Sequence, residues 1–297
     1  MKNLAACKAL PNGRTYEECA RFFGSVKELT RHKSSNPRIK NMTDEKTILL
    51  EKSESIATLT FARPKHNVFN IDMMNLFCDT LEDLSKDSDI KCLVIKGQGA
   101  SWCAGVDVGD HKPDMADQMI ATFNRSLMIL EALKMPTVAA VHGACLGGGM
   151  EYAIACDMII AGESAKFGQP EVKLGFLPPY AAIRLPKLVG PAKAIEICCS
   201  GKVYSADAAK TMGFVSLTVP DDQFDTAVDG WIKDIKASSP LILRLNKQAV
   251  TQHLGMSTPD ALESVGNLFL NTLMKTEDTL EGIASFYEKR RPDWKNK

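Results

Sequence analysis

The chain has 297 residues, of which 45% are hydrophobic and 24% charged, and its 36 Lys and Arg balance its 36 Asp and Glu. This composition is typical of a globular protein long enough for one large core, and a net charge of zero gives no overall basic field to attract nucleic acid. No apolar run is long enough to cross a membrane. The 9 cysteines lack C-x-x-C or zinc-ligand spacing and predict free thiols in a reducing compartment, the cytoplasm.

Residues 1–45 differ from the rest of the chain, because they are basic, show little apolar periodicity and contain the break Ser34-Ser35-Asn36-Pro37. Three origins stay open: a start codon assigned too early, with Met42 as the true start, an organelle-targeting segment, or a helical appendage. The acidic Glu17 and Glu18 argue against a transit peptide. We expect a dispensable extension, followed by a core over residues 46–240 and a helical region over 241–297.

The first elements of the core predict two strands and a helix. Apolar runs at 48–50 and 56–61 flank the polar Lys-Ser-Glu-Ser, which indicates a hairpin. Apolar residues then recur at helical spacing over 73–86. The next unit repeats the order, with a buried strand at 92–95 and a helix over 115–133. The sequence therefore predicts an α/β protein.

The stretch from Val138 to Glu171 contains the main candidate catalytic residues. A strand over 137–141 leads into a glycine turn and then into a short helix that contains Glu151. The N–H of Gly148, at the start of this helix, would be an unsatisfied donor at the positive end of the helix dipole, where an oxygen that gains negative charge is well stabilised. Glu171 follows after a further strand and turn, so both carboxylates would face one cleft and perform acid–base work beside an oxyanion.

Other interpretations of these glycines stay open. Consecutive glycines also occur in phosphate-binding loops, but the spacing here is G-x-x-x-G-G-G and no G-K-[ST] follows. They also occur where a helix crosses a sheet closely. Glu151, in the first turn of a helix, would then only stabilise the helix by interacting with its dipole.

Three motifs in order link this stretch to a known family: S-W-C-A-G-V-D, H-G-A-C-L-G-G-G-M-E and F-G-Q-P-E-V-K-L-G. From residue 48 to 297 the pattern resembles the crotonase (enoyl-CoA hydratase/isomerase) superfamily. The resemblance implies a crotonase (ClpP/crotonase-like) fold of repeated β-β-α superhelical turns with a C-terminal helical trimerisation region. It also implies a homotrimer or a dimer of trimers.

The resemblance implies a site as well. The N–H groups of Val106 and Gly148 would form the oxyanion hole for a thioester carbonyl, and Glu151 and Glu171 would be the catalytic carboxylates, with Glu171 as proton donor. The residues that would bind the substrate are Lys65, Ala104, Asp107, Tyr180 and Lys289. Alternatives stay open for three of them: Lys65 as a solvated lysine, Asp107 as a loop brace and Tyr180 as a buried structural tyrosine. Coenzyme A is part of the substrate, and we expect no other cofactor and no metal.

The segment after Glu171 departs from the family. Common hydratases continue L-G-x-x-P-G-A-G-G-T-Q-R-L, whereas this chain has L-G-F-L-P-P-Y-A-A-I-R-L. Pro178, Pro179 and Tyr180 predict a stiffer acyl pocket. Together with R-P-K-H-N-V-F-N and C-A-G-V-D-V-G-D-H, this segment makes the chain most similar to the cyclohexa-1,5-diene-1-carbonyl-CoA hydratases of anaerobic aromatic degradation.

That similarity implies a hydro-lyase that adds water to a cyclic dienoyl-CoA and forms 6-hydroxycyclohex-1-ene-1-carbonyl-CoA. The alternatives are a general short-chain enoyl-CoA hydratase/isomerase, a hydrolase of the same fold, and a non-catalytic RNA-binding homologue. The presence of both glutamates favours hydration, and the core lacks the basic stripe that RNA binding would require.

Helical spacing predicts six later helices, at 192–199, 206–211, 222–237, 241–252, 259–275 and 279–289.

Overall fold

The computed structural model describes residues 46–297. The predictions for residues 1–45, including a start at Met42, lie outside the described residues. Within the described range, no helix is both long and apolar enough to span a membrane.

A six-stranded sheet forms the centre of the protein, in the order β1-β2-β3-β5-β7-β10. The predicted hairpin is confirmed, since β1 and β2 pair antiparallel, and the remaining neighbours pair in parallel. The strands are β1 Ile48–Ser53, β2 Ile56–Phe61, β3 Cys92–Gly97, β5 Thr137–Val141, β7 Met158–Gly162 and β10 Leu217–Val219.

A second sheet has four strands of three residues each, in the order β4-β6-β8-β9. They are β4 Ser101–Cys103, β6 Ala144–Leu146, β8 Lys166–Gly168 and β9 Val203–Ser205. The sequence did not predict them, because three residues are too few to show a period. The chain passes from β5 to β6 at Gly143, where φ is +56° and a Cβ would lie 2.0 Å from the Ala100 carbonyl oxygen.

Each long strand of the middle of the sheet is followed by a short strand and then a helix, which is the expected β-β-α repeat. The ten α-helices within residues 46–297 are α1 Ile71–Ser85, α2 Ala116–Ala132, α3 Gly148–Ala155, α4 Ala181–Val189, α5 Pro191–Ser200, α6 Ala206–Met212, α7 Phe224–Ala237, α8 Pro240–Thr251, α9 Thr258–Asn271 and α10 Glu277–Glu288. The predicted helix over 259–275 ends at Asn271, and a 3-10 turn, Leu273–Lys275, follows.

The main core lies between the two sheets and helices α1 to α3. Its centre is an aromatic cluster in which Phe61, Phe69 and Phe77 meet edge to face at 4.8–5.7 Å, and Tyr152 from α3 packs against Phe69. A smaller cluster on the opposite face of the large sheet includes Val228 from α7. Burying α3 in this way fixes the helix that carries Glu151.

Candidate active site

A cavity of about 480 Å³ opens between α2, α3 and the segment after β8. Both predicted catalytic glutamates, Glu151 and Glu171, lie in its wall, together with Val106 and Gly148. The rest of the wall is mostly apolar: Ala104, Val108, Met119, Ile120, Phe123, Leu174, Phe176, Leu177 and Pro179 contribute to it. The structure thus brings together the four residues on which the predicted chemistry depends.

Val106 and Gly148 each present a backbone N–H that donates no hydrogen bond within residues 46–297. Phe69 holds the strand-like segment around Val106, because its N–H donates to Gly105 and its carbonyl accepts from Asp107. Gly148 begins α3, so its N–H lies at the positive end of the helix. A Cβ at position 148 would lie 2.6 Å from Cγ2 of Val106, and glycine therefore permits the close approach. Two free donors in one cavity wall suit an oxygen that becomes negative.

Glu151 is only 2% exposed. Its Oε1 accepts hydrogen bonds from the N–H groups of Tyr180, at 2.7 Å, and Ala181, at 2.8 Å. Burial raises the pKa of Glu151 to about 8, a rise to which the charge of Glu171 adds and which the two N–H donors oppose. Glu151 therefore retains a proton at a pH where an exposed carboxyl group would have lost it.

Glu171 lies in a 3-10 turn, Pro170–Leu174, directly after β8. With its carboxamide oriented to donate, Gln169 has its nitrogen 3.0 Å from each Glu171 oxygen, and Gln169 itself is fully buried. Burial raises the pKa of Glu171 to about 7. Near neutral pH the two carboxyl groups thus share a proton, so one can act as a base and the other as an acid.

Two predicted substrate-binding residues lie beside the cavity. Ala104 lines it directly. Asp107 caps the 3-10 turn Val108–His111 by accepting from the Gly109 N–H at 2.9 Å, and it forms an ion pair with Arg63 at 3.3 Å. These contacts are the loop-bracing role that the sequence left open for Asp107.

The other three predicted substrate contacts lie elsewhere within the described part of the chain. Tyr180 is buried, and its hydroxyl donates to Oε1 of Glu131 at 2.6 Å rather than lining the cavity. Lys65 and Lys289 are exposed on the surface, and neither belongs to the cavity wall. The Tyr180 hydroxyl therefore lies outside the cavity and is bonded to Glu131.

Sequence reasoning missed several residues of the site. Met119 and Phe123 are buried residues of α2, and they also form the cavity wall. Helical spacing predicts the helix over 115–133 but does not distinguish a core residue from a pocket residue. The rings of His111 and Phe176 lie 4.8 Å apart and join two walls of the cavity. Within residues 46–297, no three or more His, Cys, Asp or Glu side chains are grouped so as to hold a metal ion.

The chain is similar to known proteins over most of its length. A family model described as enoyl-CoA hydratase/isomerase matches residues 51–297. A relative named "Probable enoyl-CoA hydratase" from Mycobacterium tuberculosis is 36% identical over 251 residues, which cover 84% of this chain and 97% of the relative. The cyclohexa-1,5-dienecarbonyl-CoA hydratase of Thauera aromatica is 30% identical over 252 residues, or 84% of this chain and 96% of that protein.

Among solved structures, the enoyl-CoA hydratase from Bacillus anthracis superposes with a TM-score of 0.81 at 26% identity, covering 85% of this chain and all of that one. This likeness confirms the predicted crotonase fold. The chain belongs to the enoyl-CoA hydratase/isomerase family.

Proposed function

We propose that this protein is a hydro-lyase that adds water across the conjugated double bond of a 2-enoyl-CoA thioester. The observation that carries the proposal is the joint placement of Glu151, Glu171 and the free N–H groups of Val106 and Gly148 in one apolar cavity. The family model and the relative named as an enoyl-CoA hydratase support the same activity.

In the proposed reaction the thioester carbonyl lies between the two N–H donors. One glutamate removes a proton from water as the water oxygen bonds to the β-carbon, and the electrons of the double bond move to the carbonyl oxygen to form an enolate. The other glutamate then delivers its proton to the α-carbon. By the family pattern we assign this second step to Glu171, which requires that the proton lie on Glu171 when substrate is bound, whereas in the free protein Glu151 has the higher pKa, about 8 against about 7. Removing one donor of such an oxyanion hole typically costs about 10²–10³-fold in rate.

This chemistry moves protons and makes a C–O bond without any net oxidation. It therefore requires no cofactor besides the coenzyme A that the substrate carries. The surface residues Lys65 and Lys289 are proposed contacts for the phosphates of that coenzyme A. Replacing either with alanine should raise KM and leave kcat nearly unchanged, because a remote binding contact acts on the ground state and transition state alike.

Two candidates exist for the acyl group of the substrate: a straight-chain 2-enoyl group and a cyclic dienoyl group. The comparisons favour a general enoyl-CoA hydratase over the cyclic dienoyl-CoA substrate, since more similar relatives are named for the general activity. The cyclic substrate is a second candidate because of one observation. Pro179 of the Pro178-Pro179 segment lines the cavity, and a proline there would make the cavity wall stiffer, which suits a rigid ring.

A panel of thioesters tests both candidates. Crotonyl-CoA, longer straight-chain 2-enoyl-CoAs and cyclohexa-1,5-diene-1-carbonyl-CoA are compared by loss of the conjugated absorbance. A kcat/KM for the cyclic diene at least about tenfold above that for every straight-chain substrate, about 1.4 kcal/mol in transition-state binding, would support the second candidate. The main proposal predicts that a straight-chain substrate is hydrated at least as well.

Assembly and location are also proposals. Helices α9 and α10 expose large apolar side chains, among them Leu262, Phe269, Leu270, Phe286 and Tyr287. We propose that copies of the chain cover these faces in a trimer or a dimer of trimers, which light scattering would measure. The seven cysteines in the described residues are free thiols, in keeping with a reducing compartment such as the cytoplasm.

A further inference from the structure

Tyr180 connects two carboxylates that lie on different helices. Its backbone N–H donates to Oε1 of Glu151 on α3, and its side-chain hydroxyl donates to Oε1 of Glu131 on α2. The tyrosine is 7% exposed and does not belong to the wall of the cavity among the described residues. It reaches the candidate active site only through its main chain.

The position of Tyr180 determines where α4 begins. Tyr180 is the residue directly before this helix, and Ala181 is the first residue within it. The N–H groups of both residues point at the same oxygen of Glu151, which occupies the place that a capping side chain normally takes at a helix start. Arg184 fixes the next turn of α4, since its Nε donates to the carbonyl of Ile154 at 3.1 Å. Glu131 and Ile154 thus hold α4 against α2 and α3.

The Tyr180 hydroxyl is a neutral donor over the working pH range. Burial raises its pKa above the usual range, and the neighbouring carboxylate of Glu131 raises it further. The other titratable groups near this tyrosine are Arg184 on α4 and Cys156 at the end of α3. The charged group that faces Glu151 from the remaining wall is Glu171.

We infer that Tyr180 is a positioning residue for Glu151: its hydroxyl, anchored on Glu131, places the two N–H groups that orient the Glu151 carboxylate toward the cavity. The inference rests on the proposed hydration only for its kinetic consequence. Glu131 is exposed, so water would hydrogen-bond to its carboxylate if the tyrosine hydroxyl were removed. We therefore expect removal of the hydroxyl to displace the first turn of α4 and to leave the rest of the fold intact.

The decisive variant is Tyr180→Phe, which keeps the ring and removes the donor. We expect kcat to fall about tenfold while KM stays within about twofold, because the hydroxyl lies outside the cavity wall and bonds to Glu131 instead. Donors to a carboxylate favour its ionised form. Weaker donation from Tyr180 and Ala181 will thus raise the pKa of Glu151 and move the corresponding limb of the pH profile to higher pH.

A second set of variants separates positioning from general stability. Glu131→Ala should reproduce the effect of Tyr180→Phe, and the double variant should be no worse than either single one, since both break the same contact. Glu131→Gln keeps an acceptor oxygen and should stay close to the parent. The matched control is Tyr204→Phe, because the Tyr204 hydroxyl also donates to a glutamate, Glu196, at 3.2 Å outside the cavity.

The titration of Glu151 is read directly by infrared spectroscopy of protein labelled with [¹³C]glutamate, with Glu151→Gln identifying the band. A parental kcat and an unshifted Glu151 titration in Tyr180→Phe and Glu131→Ala would overturn the inference, as would equal effects in Tyr204→Phe. A parent protein that hydrates no enoyl-CoA would count against the proposed function alone. The infrared titration would still decide the role of Tyr180 in that case.

Discussion

Gly147 and Glu171 lie so close together that a side chain at position 147 would meet the carboxylate. A Cβ built on Gly147 lies 2.7 Å from Oε1 of Glu171, and the backbone there has φ of +55°, a conformation that favours glycine. Gly147→Ala should displace Glu171 from the cavity and lower kcat/KM by at least about tenfold. Steady-state kinetics on a folded, monodisperse preparation of the variant would measure this fall in kcat/KM.

The control for Gly147→Ala is Gly99→Ala. Gly99 also has a positive φ, +81°, but a Cβ there would contact nothing within 4 Å. Both variants carry backbone strain, and only the first crowds Glu171. Equal activity in the two variants would mean that strain, not displacement of the carboxylate, explains any loss.

Neutralising either of the two proposed catalytic glutamates should abolish most of the activity. Glu151→Gln and Glu171→Gln each remove a group that takes or gives a proton, and we expect at least about a 10²-fold fall in the hydration rate with little change in binding. Glu163→Gln, at an exposed position outside the cavity, is the control. A glutamine variant that kept most of the activity would exclude that glutamate from the mechanism.

Activity should follow a bell-shaped pH profile. Burial raises the pKa of Glu171 to about 7 and that of Glu151 to about 8, and the charge of Glu171 adds to the rise at Glu151. Below this range the pair is fully protonated and lacks a base, and above it the pair lacks an acid. We expect kcat/KM to be highest between the two values. A flat profile from about pH 5 to 9 would contradict the shared proton.

The same burial predicts a stability effect. The folded-state pKa of Glu151 is about 8, whereas an unfolded chain has a glutamate pKa of about 4.3. As pH rises between these values the unfolded state loses its proton first, so the parent loses stability. Glu151→Gln has no such proton, and its amide oxygen can accept the same N–H donors. Its Tm should exceed that of the parent by at least about 2 °C at pH 8.5, and the difference should shrink toward pH 5.

Calorimetry at the two pH values would check this prediction. If Glu151→Gln were less stable than the parent at both, the buried carboxylate would be contributing to the fold. The cost of burying it would then be offset by contacts that the amide does not reproduce.

The sequence predicted the parts of the fold that are long and periodic. The hairpin of β1 and β2, the strand Thr137–Val141 and the helices α1 and α2 were found within a few residues, because each buries a repeated apolar face. Helix α4 was missed. It begins directly after Pro178, Pro179 and Tyr180, which predicted a stiffer acyl pocket, and Pro186 within it argues against a helix from sequence alone.

The site was predicted unevenly for a physical reason. Glycine turns at helix starts have a recognisable pattern, so Gly148 and Glu151 could be placed from the chain. The contact between Tyr180 and Glu131 joins residues 49 positions apart whose spacing follows no period. Such a contact depends on how α2 and α4 pack, which only the structure shows.

The fate of the oxygen atom of water distinguishes hydration from isomerisation and from thioester hydrolysis. The purified protein is incubated with crotonyl-CoA in H₂¹⁸O, and the products are analysed by mass spectrometry. We expect a hydroxyacyl-CoA that carries one ¹⁸O on the β-carbon, formed by the parent and by Glu163→Gln, and formed at least about 10²-fold more slowly by Glu151→Gln and Glu171→Gln. An unlabelled isomer of the substrate, or free coenzyme A with ¹⁸O in a released carboxylate, would contradict the proposed hydration.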